Sequence, residues 1–164
     1  MKCRNCDSVL TSKTLSLGEQ YLTGVFPKDK NQKITKGPLD LMFCKKCSLL
    51  QLGQNYDLDE MYGENYGYRS GLNKSMVDHL EKKINHLENL VSPQTNDLVI
   101  DIGSNDATSL KAYKGNFKKI GIDPTGEKFI NFYSDNIILI PDFFSFKVFD
   151  SKFPNKKAKI ITSI

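Results

Sequence analysis

Leu98-Val99-Ile100-Asp101-Ile102-Gly103-Ser104-Asn105-Asp106-Ala107 is the stretch that decides the fold. Its apolar run is too short for a buried helix and stops at a glycine, so it reads as a buried strand running into a turn. A helical stretch from about Thr108 to Tyr113 follows, giving strand, turn and helix. The same alternation continues through Lys119-Ile120-Gly121-Ile122-Asp123, a helix near Glu127–Tyr133, Ile137–Ile140 and finally Lys159–Ile164. Strands alternating with helices predict βαβ units and a parallel sheet covered on both faces, an α/β doubly wound fold. Such sheets bind ligands at the carboxyl ends of their strands. Gly103 lets a ligand approach the backbone closely, and the helix that follows favours an anion at its N-terminus. Twenty residues after Gly103, Asp123 stands at the tip of the second strand, where a carboxylate can accept hydrogen bonds from ribose hydroxyls. Together these features point to an adenosine-containing ligand. The third strand ends in Asp142-Phe143-Phe144, suited to an amino group and ring face of adenine, or equally to a turn and two core phenylalanines. Ala107 occupies the third glycine position of the dinucleotide fingerprint and no Gly-x-x-x-x-Gly-Lys run exists, which argues against NAD and against an ATP P-loop.

Toward the N-terminus, Met76, Leu80, Ile84, Leu87 and Val91 form one stripe of an amphipathic helix, capped by Asn73 or Ser70 and ended by Ser92-Pro93. His79 and His86 lie beside the stripe and read as solvated flank residues. Tyr56, Tyr62, Tyr66 and Tyr68 precede this helix. They read either as a packed connector or as one side of a substrate cleft between two modules.

All four cysteines occur as two C-x-x-C pairs, Cys3/Cys6 and Cys44/Cys47, with 37 residues between them. Leu39–Phe43 and Leu50–Leu52 alternate on either side of the second pair, which places it at a hairpin tip. Pro27 to Lys33 reads as a surface loop. Two such knuckles can complete the tetrahedral Cys₄ shell of structural zinc, a closed shell that builds shape and leaves no position for catalysis. A redox dithiol, two disulfides or iron in the same shell are the competing readings. The expected domains are a zinc ribbon-like module over 1–55, a connector with its helix over 56–95, and an incomplete Rossmann-like domain over 96–164.

With 164 residues, 39% hydrophobic and 26% charged, the composition is that of an ordinary globular chain. The longest aliphatic run, Ile137–Ile140, is far short of the ~20 apolar residues of a membrane span, and no apolar stretch precedes Cys3. No membrane association and a reducing cytoplasm are therefore expected. The net charge of +4 divides as +2 over 1–60, −1 over 61–97 and +3 over 98–164, so no segment carries the basic patch of a nucleic-acid binder. Because the last apolar strand has nothing after it to cover its edge, the chain is expected to be part of a longer protein.

On these residues the chain resembles the sugar C-methyltransferases of deoxysugar biosynthesis, which join a Cys₄ zinc-binding domain to a class I S-adenosylmethionine-dependent domain. The resemblance is carried by Cys3–Cys6, Gly37–Leu41, Cys44–Leu52, Tyr66–Gly71, Ile102–Asp106 and Gly121–Pro124. It implies methyl transfer from S-adenosylmethionine to a carbon of a nucleotide-linked keto-deoxysugar, through an enolate formed by a base. Asp101, Gly103 and Asn105 would line the methionine end, Asp123 the ribose, and Asp142 and Phe143 the adenine. Tyr66 and Tyr68 would be candidates on the substrate side. The family's Asn-x-x-x-His-like segment, which carries the base, is expected beyond Ile164. The alternatives are a non-catalytic zinc-ribbon and Rossmann-like binding module, or a methyltransferase for another small molecule.

Overall fold

A computed structural model describes residues 1–22, 27–62 and 66–163. Ile164, the end of the expected last strand, and residues 63–65 of the expected connector lie outside the described residues. The chain forms two compact units, Met1–Gly67 and Tyr68–Ile164.

The first unit holds β1 (Ser12–Tyr21), β2 (Lys36–Phe43) and β3 (Leu50–Leu52), antiparallel in the order β1-β2-β3, followed by the short helix α1 (Leu58–Tyr62). The β2–β3 hairpin carries the second cysteine pair at its tip, as the alternation predicts. β1 has no counterpart in the sequence reading. Its alternating Leu15 and Leu17 stay 52% and 56% exposed, so the strand is held by its ladder to β2 rather than by a buried face. The core of this unit is small. Cys3, Leu10 and Cys44 are buried, and Cys6, Met42, Cys47 and Leu49 pack against them. Tyr56 is part of the packing, with its hydroxyl donating to the Pro38 carbonyl at 2.9 Å.

The second unit contains α2 (Lys74–Val91), β4 (Leu98–Ile102), α3 (Thr108–Ala112), β5 (Lys118–Ile122), β6 (Ile137–Ile140), α4 (Phe146–Lys152) and β7 (Ala158–Ser163). A 3₁₀ segment, Gly126–Phe132, stands where the sequence suggests a helix. The four strands are parallel in the order β6-β5-β4-β7. Asn73 caps α2 by accepting from the Ser75 N–H at 3.0 Å, and the helix ends at Ser92 in the left-handed region. From the predicted stripe, Leu80 and Ile84 are fully buried, each contributing about 1.5–3 kcal/mol relative to exposure. Because α2 packs on α3 and its Ile84 sits in the cluster with Val99, this part of the expected connector belongs with the sheet. His79 and His86 are exposed on it.

One sheet face packs Val99, Ile137 and Ile160 against Ile84 of α2 and Leu110 of α3. The other packs Leu98, Ile100, Ile120, Ile122 and Ile140 against Phe149 of α4. The chain therefore steps outward from β4 to β5 to β6, then returns on the opposite face to β7, beside β4. This is a partial Rossmann-like fold. Its topological switch lies between β4 and β7, and the crevice there opens at the end of β4. The sequence reading leaves α4 out, although Ser145 caps it by accepting from the Val148 N–H at 3.2 Å.

Candidate functional site

In the first unit the two knuckles have the same backbone geometry. Cys3 N–H donates to the Ser8 carbonyl and Asp7 N–H to the Cys3 carbonyl; Cys44 N–H donates to the Leu49 carbonyl and Ser48 N–H to the Cys44 carbonyl. Asp7 and Ser48 turn each knuckle with φ of 55° and 62°. The result brings all four sulfurs within 4.8 Å of one another, with Cys3–Cys47 and Cys6–Cys44 separations of 3.6 Å. A tetrahedron with metal–sulfur bonds of ~2.3 Å has edges near ~3.8 Å, so the arrangement fits a Cys₄ ion. Bonded sulfurs would lie at ~2.05 Å, and the four cysteines are free.

Around the sulfurs, the Ser8 hydroxyl sits 3.1 Å from both Cys6 and Cys44. It holds the Cys44 thiol down at about 6 and lowers Cys6 as well. Burial pushes Cys3 up to about 11. Arg4 braces the first knuckle on the third strand, its backbone N–H donating to the Gln51 side-chain oxygen at 2.9 Å and its guanidinium to Asn55 at 2.5 Å. Ser8 is a residue the sequence reading does not single out, since its partner Cys44 is 36 residues away. Ser8→Ala removes a hydrogen bond to the coordinating sulfurs and is expected to lower zinc affinity about tenfold or more, read by competition with a chelator. Unchanged affinity would remove Ser8 from the support of the site.

In the second unit the turn after β4 places Gly103, Asn105 and Ala107 in the left-handed region, with φ of 71°, 50° and 60°. Gly103 needs its glycine for that φ, and a Cβ built on it meets nothing within 4 Å, so its side-chain direction is open space. Ala107 adopts the conformation without being glycine, at a cost of about 1–2 kcal/mol, and its buried methyl belongs to the core. The Asp123 carboxylate, 5% exposed, stands behind this turn. It accepts from the Asn105 N–H at 2.7 Å and from the Thr125 N–H and hydroxyl at 2.7 and 2.6 Å. Tyr133 ties the turn from the other side, its hydroxyl 2.8 Å from the Ser104 hydroxyl and donating to the Asn105 carbonyl at 3.0 Å. Burial pushes the Tyr133 phenol well above its ordinary value.

A cavity of about 220 Å³ opens beside the turn, lined among others by Asp101, Gly103, Ser104, Thr108 and Ser109 on one side and Tyr68, Met76 and Leu80 on another. Asp101, 3% exposed, accepts from the Thr162 hydroxyl of β7 at 2.6 Å, which links the two strands at the switch point. Burial raises its carboxyl above the ordinary value of 3.8. The folded chain thus holds that proton more tightly than the unfolded one, and stability falls as pH rises from the ordinary value through the raised one. Asp101→Asn keeps the acceptor for Thr162 and is expected to raise the melting temperature at neutral pH while leaving it unchanged in strong acid. A loss of stability at pH 7 would refute this account of Asp101.

The structure thus gathers the four cysteines in one place and Asp101, Gly103 and Tyr68 around one cavity. Asn105 is spent differently from its expected place on a ligand. Its amide donates to the Tyr68 carbonyl at 3.1 Å and accepts from the Ser70 N–H at 3.0 Å. Asp142 and Phe143 stand exposed after β6 and are not among the cavity's lining residues; the Asp142 carboxylate accepts from the Phe143 N–H at 2.7 Å. Tyr66 belongs to the first unit, with its ring 5.6 Å from that of Tyr62. Thr162 and Tyr133, which brace Asp101 and the turn, carry no local motif that marks them in the sequence.

Residues 3–62 match the Methyltransf_13 family, described as a "Putative zinc binding domain". The chain is also 26% identical over 126 residues to the C-methyltransferase NovU of Streptomyces niveus, across 75% of this chain. The chain is thus similar to a C-methyltransferase over most of its length. The alignment spans about 30% of the length of NovU. The zinc binding that the family description names agrees with the Cys₄ cluster. No helix among the described residues is long and apolar enough to cross a membrane.

Proposed function

We propose that this C-methyltransferase-like chain binds S-adenosylmethionine at the turn after β4 and serves methyl transfer to carbon of a small molecule, with a nucleotide-linked keto-deoxysugar as the substrate class. The observation that carries the reading is the open glycine turn at the β4/β7 switch point, beside a cavity with an acidic and hydroxylic wall and an apolar one. S-adenosylmethionine supplies a methyl group on a sulfonium, to be taken by a substrate carbanion. Gly103 leaves room for the ligand's backbone approach, and Asp101 offers a carboxylate to an ammonium in the cavity. Asp123, at the end of β5, retains lone pairs for ribose hydroxyls beyond those taken by Asn105 and Thr125. Tyr68 lines the cavity and is the candidate on the substrate side. The Cys₄ centre holds the first unit in shape and takes no part in the chemistry. Proton removal from the substrate is assigned, by the resemblance, to the family's Asn-x-x-x-His-like segment.

Ligand selectivity tests the reading. S-adenosylhomocysteine is expected to raise the melting temperature of the zinc-loaded chain, while NAD and ATP at the same concentration leave it unchanged. A shift with NAD or ATP and none with S-adenosylhomocysteine would overturn it.

A further inference from the structure

The cavity is also lined by a strap, residues 68–72, that is held against the turn after β4 chiefly through its backbone groups. An Asn carboxamide offers one acceptor and two donors. Here Asn105 uses both ends on the strap, accepting from the Ser70 N–H and donating to the Tyr68 carbonyl. The next residue, Asp106, accepts from the Gly71 N–H at 2.9 Å with one oxygen and from the Thr108 hydroxyl at 2.5 Å with the other. Arg69, between the two held residues, lies with its guanidinium 3.9 Å from the Phe132 ring centroid and its Nε 3.9 Å from Asp106. Gly71 is required for the approach, because a Cβ there would stand 2.5 Å from the Asp106 carboxylate and 3.1 Å from the Thr108 hydroxyl. Asp106 is 1% exposed and Asn105 7% exposed, so these bonds are sheltered from water. Tyr68 and Ser70, the residues so fixed, line the cavity.

We propose that Asn105 and Asp106 are positioning residues that dock the 68–72 strap as the outer wall of the ligand cavity, so that occupancy of the cavity and order of the strap are linked. The linkage rests on the reading that the cavity takes part of S-adenosylmethionine; the docking does not. Asn105 is well placed for this, because its own N–H is held by Asp123, the residue proposed for the ribose. A ligand drawing on Asp123 and one pressing on Tyr68 act on the same turn from two sides. By reciprocity, whatever tightens the strap tightens the ligand.

Amide hydrogen exchange on the zinc-loaded chain, with and without S-adenosylhomocysteine, reads the strap directly. In the unliganded chain the Ser70 and Gly71 amides are expected to exchange at least tenfold more slowly than in an unstructured peptide, and at least tenfold more slowly again with ligand. Asn105→Gly keeps the left-handed backbone and removes the carboxamide; Gly71→Ala forces the strap away from Asp106 without altering any residue proposed to touch the ligand. Each is expected to raise Ser70 exchange at least tenfold and weaken S-adenosylhomocysteine at least tenfold, with Val99 and Ile100 protection unchanged. Strap amides exchanging at the unstructured rate in the unaltered chain would overturn the docking. Variants that loosen the strap and bind as tightly as before would overturn the linkage. A folded chain that takes up no S-adenosylhomocysteine sinks the functional reading and the linkage together, while exchange in the unliganded variants still decides the docking.

Discussion

Replacing Cys44 and Cys47 with serine is expected to release the metal and unfold the first unit while the parallel sheet of the second remains. The core cluster of the first unit is built on its sulfurs, with Leu10 as the buried member that is not a ligand, and β1 exposes nearly its whole length. Such a unit has little apolar burial with which to offset chain entropy. Ligand binding supplies about 10–16 kcal/mol in small zinc modules, as much as the whole stability of an ordinary domain, about 5–15 kcal/mol. The second unit rests on two clusters of its own, around Val99 and around Ile100, and does not depend on the ion. Metal analysis together with hydrogen exchange separates these outcomes. A variant that retains one equivalent of zinc and protected β2 amides would refute the Cys₄ site.

Asp123→Ala is expected to have the second largest effect. Two buried N–H groups, of Asn105 and Thr125, and the Thr125 hydroxyl would lose a charged acceptor. An unsatisfied buried donor costs about 1–3 kcal/mol, so a loss of about 2–6 kcal/mol follows for the pair of N–H groups. If the same carboxylate receives ribose hydroxyls, affinity for S-adenosylhomocysteine falls more than tenfold, about 1.4 kcal/mol or above. Asp123→Asn, which keeps one acceptor, is expected to recover part of the stability and little of the affinity. Equal stability and equal affinity for Asp123→Ala would exclude the residue from both tasks.

What was legible in the sequence was what has a period or a fixed spacing. The two C-x-x-C pairs, the α2 stripe from Met76 to Val91 and the apolar strands from Leu98 to Ser163 all announce themselves within a few residues. β1 did not, because its leucines alternate on a face that stays half exposed and so lacks a contrast between inside and outside. Partners far apart in sequence were also hidden. Thr162 meets Asp101 across 61 residues, Tyr133 meets Ser104 across 29, and Asn105 meets Tyr68 across 37. In each case a polar side chain meets a partner that only the folded chain brings near. The glycine turn illustrates the difference: the sequence located it correctly, yet the work of its Asn105 and Asp106 lies in holding a strap that precedes α2.

The central claim, that the glycine turn at the β4/β7 switch point takes S-adenosylmethionine, is tested most directly by calorimetric titration of the zinc-loaded chain with S-adenosylhomocysteine. The account predicts saturable binding of one ligand per chain, weakened more than tenfold by Asp123→Ala. A folded, zinc-loaded chain that gives no heat of binding, or that binds equally well with Asp123 replaced by alanine, would contradict it.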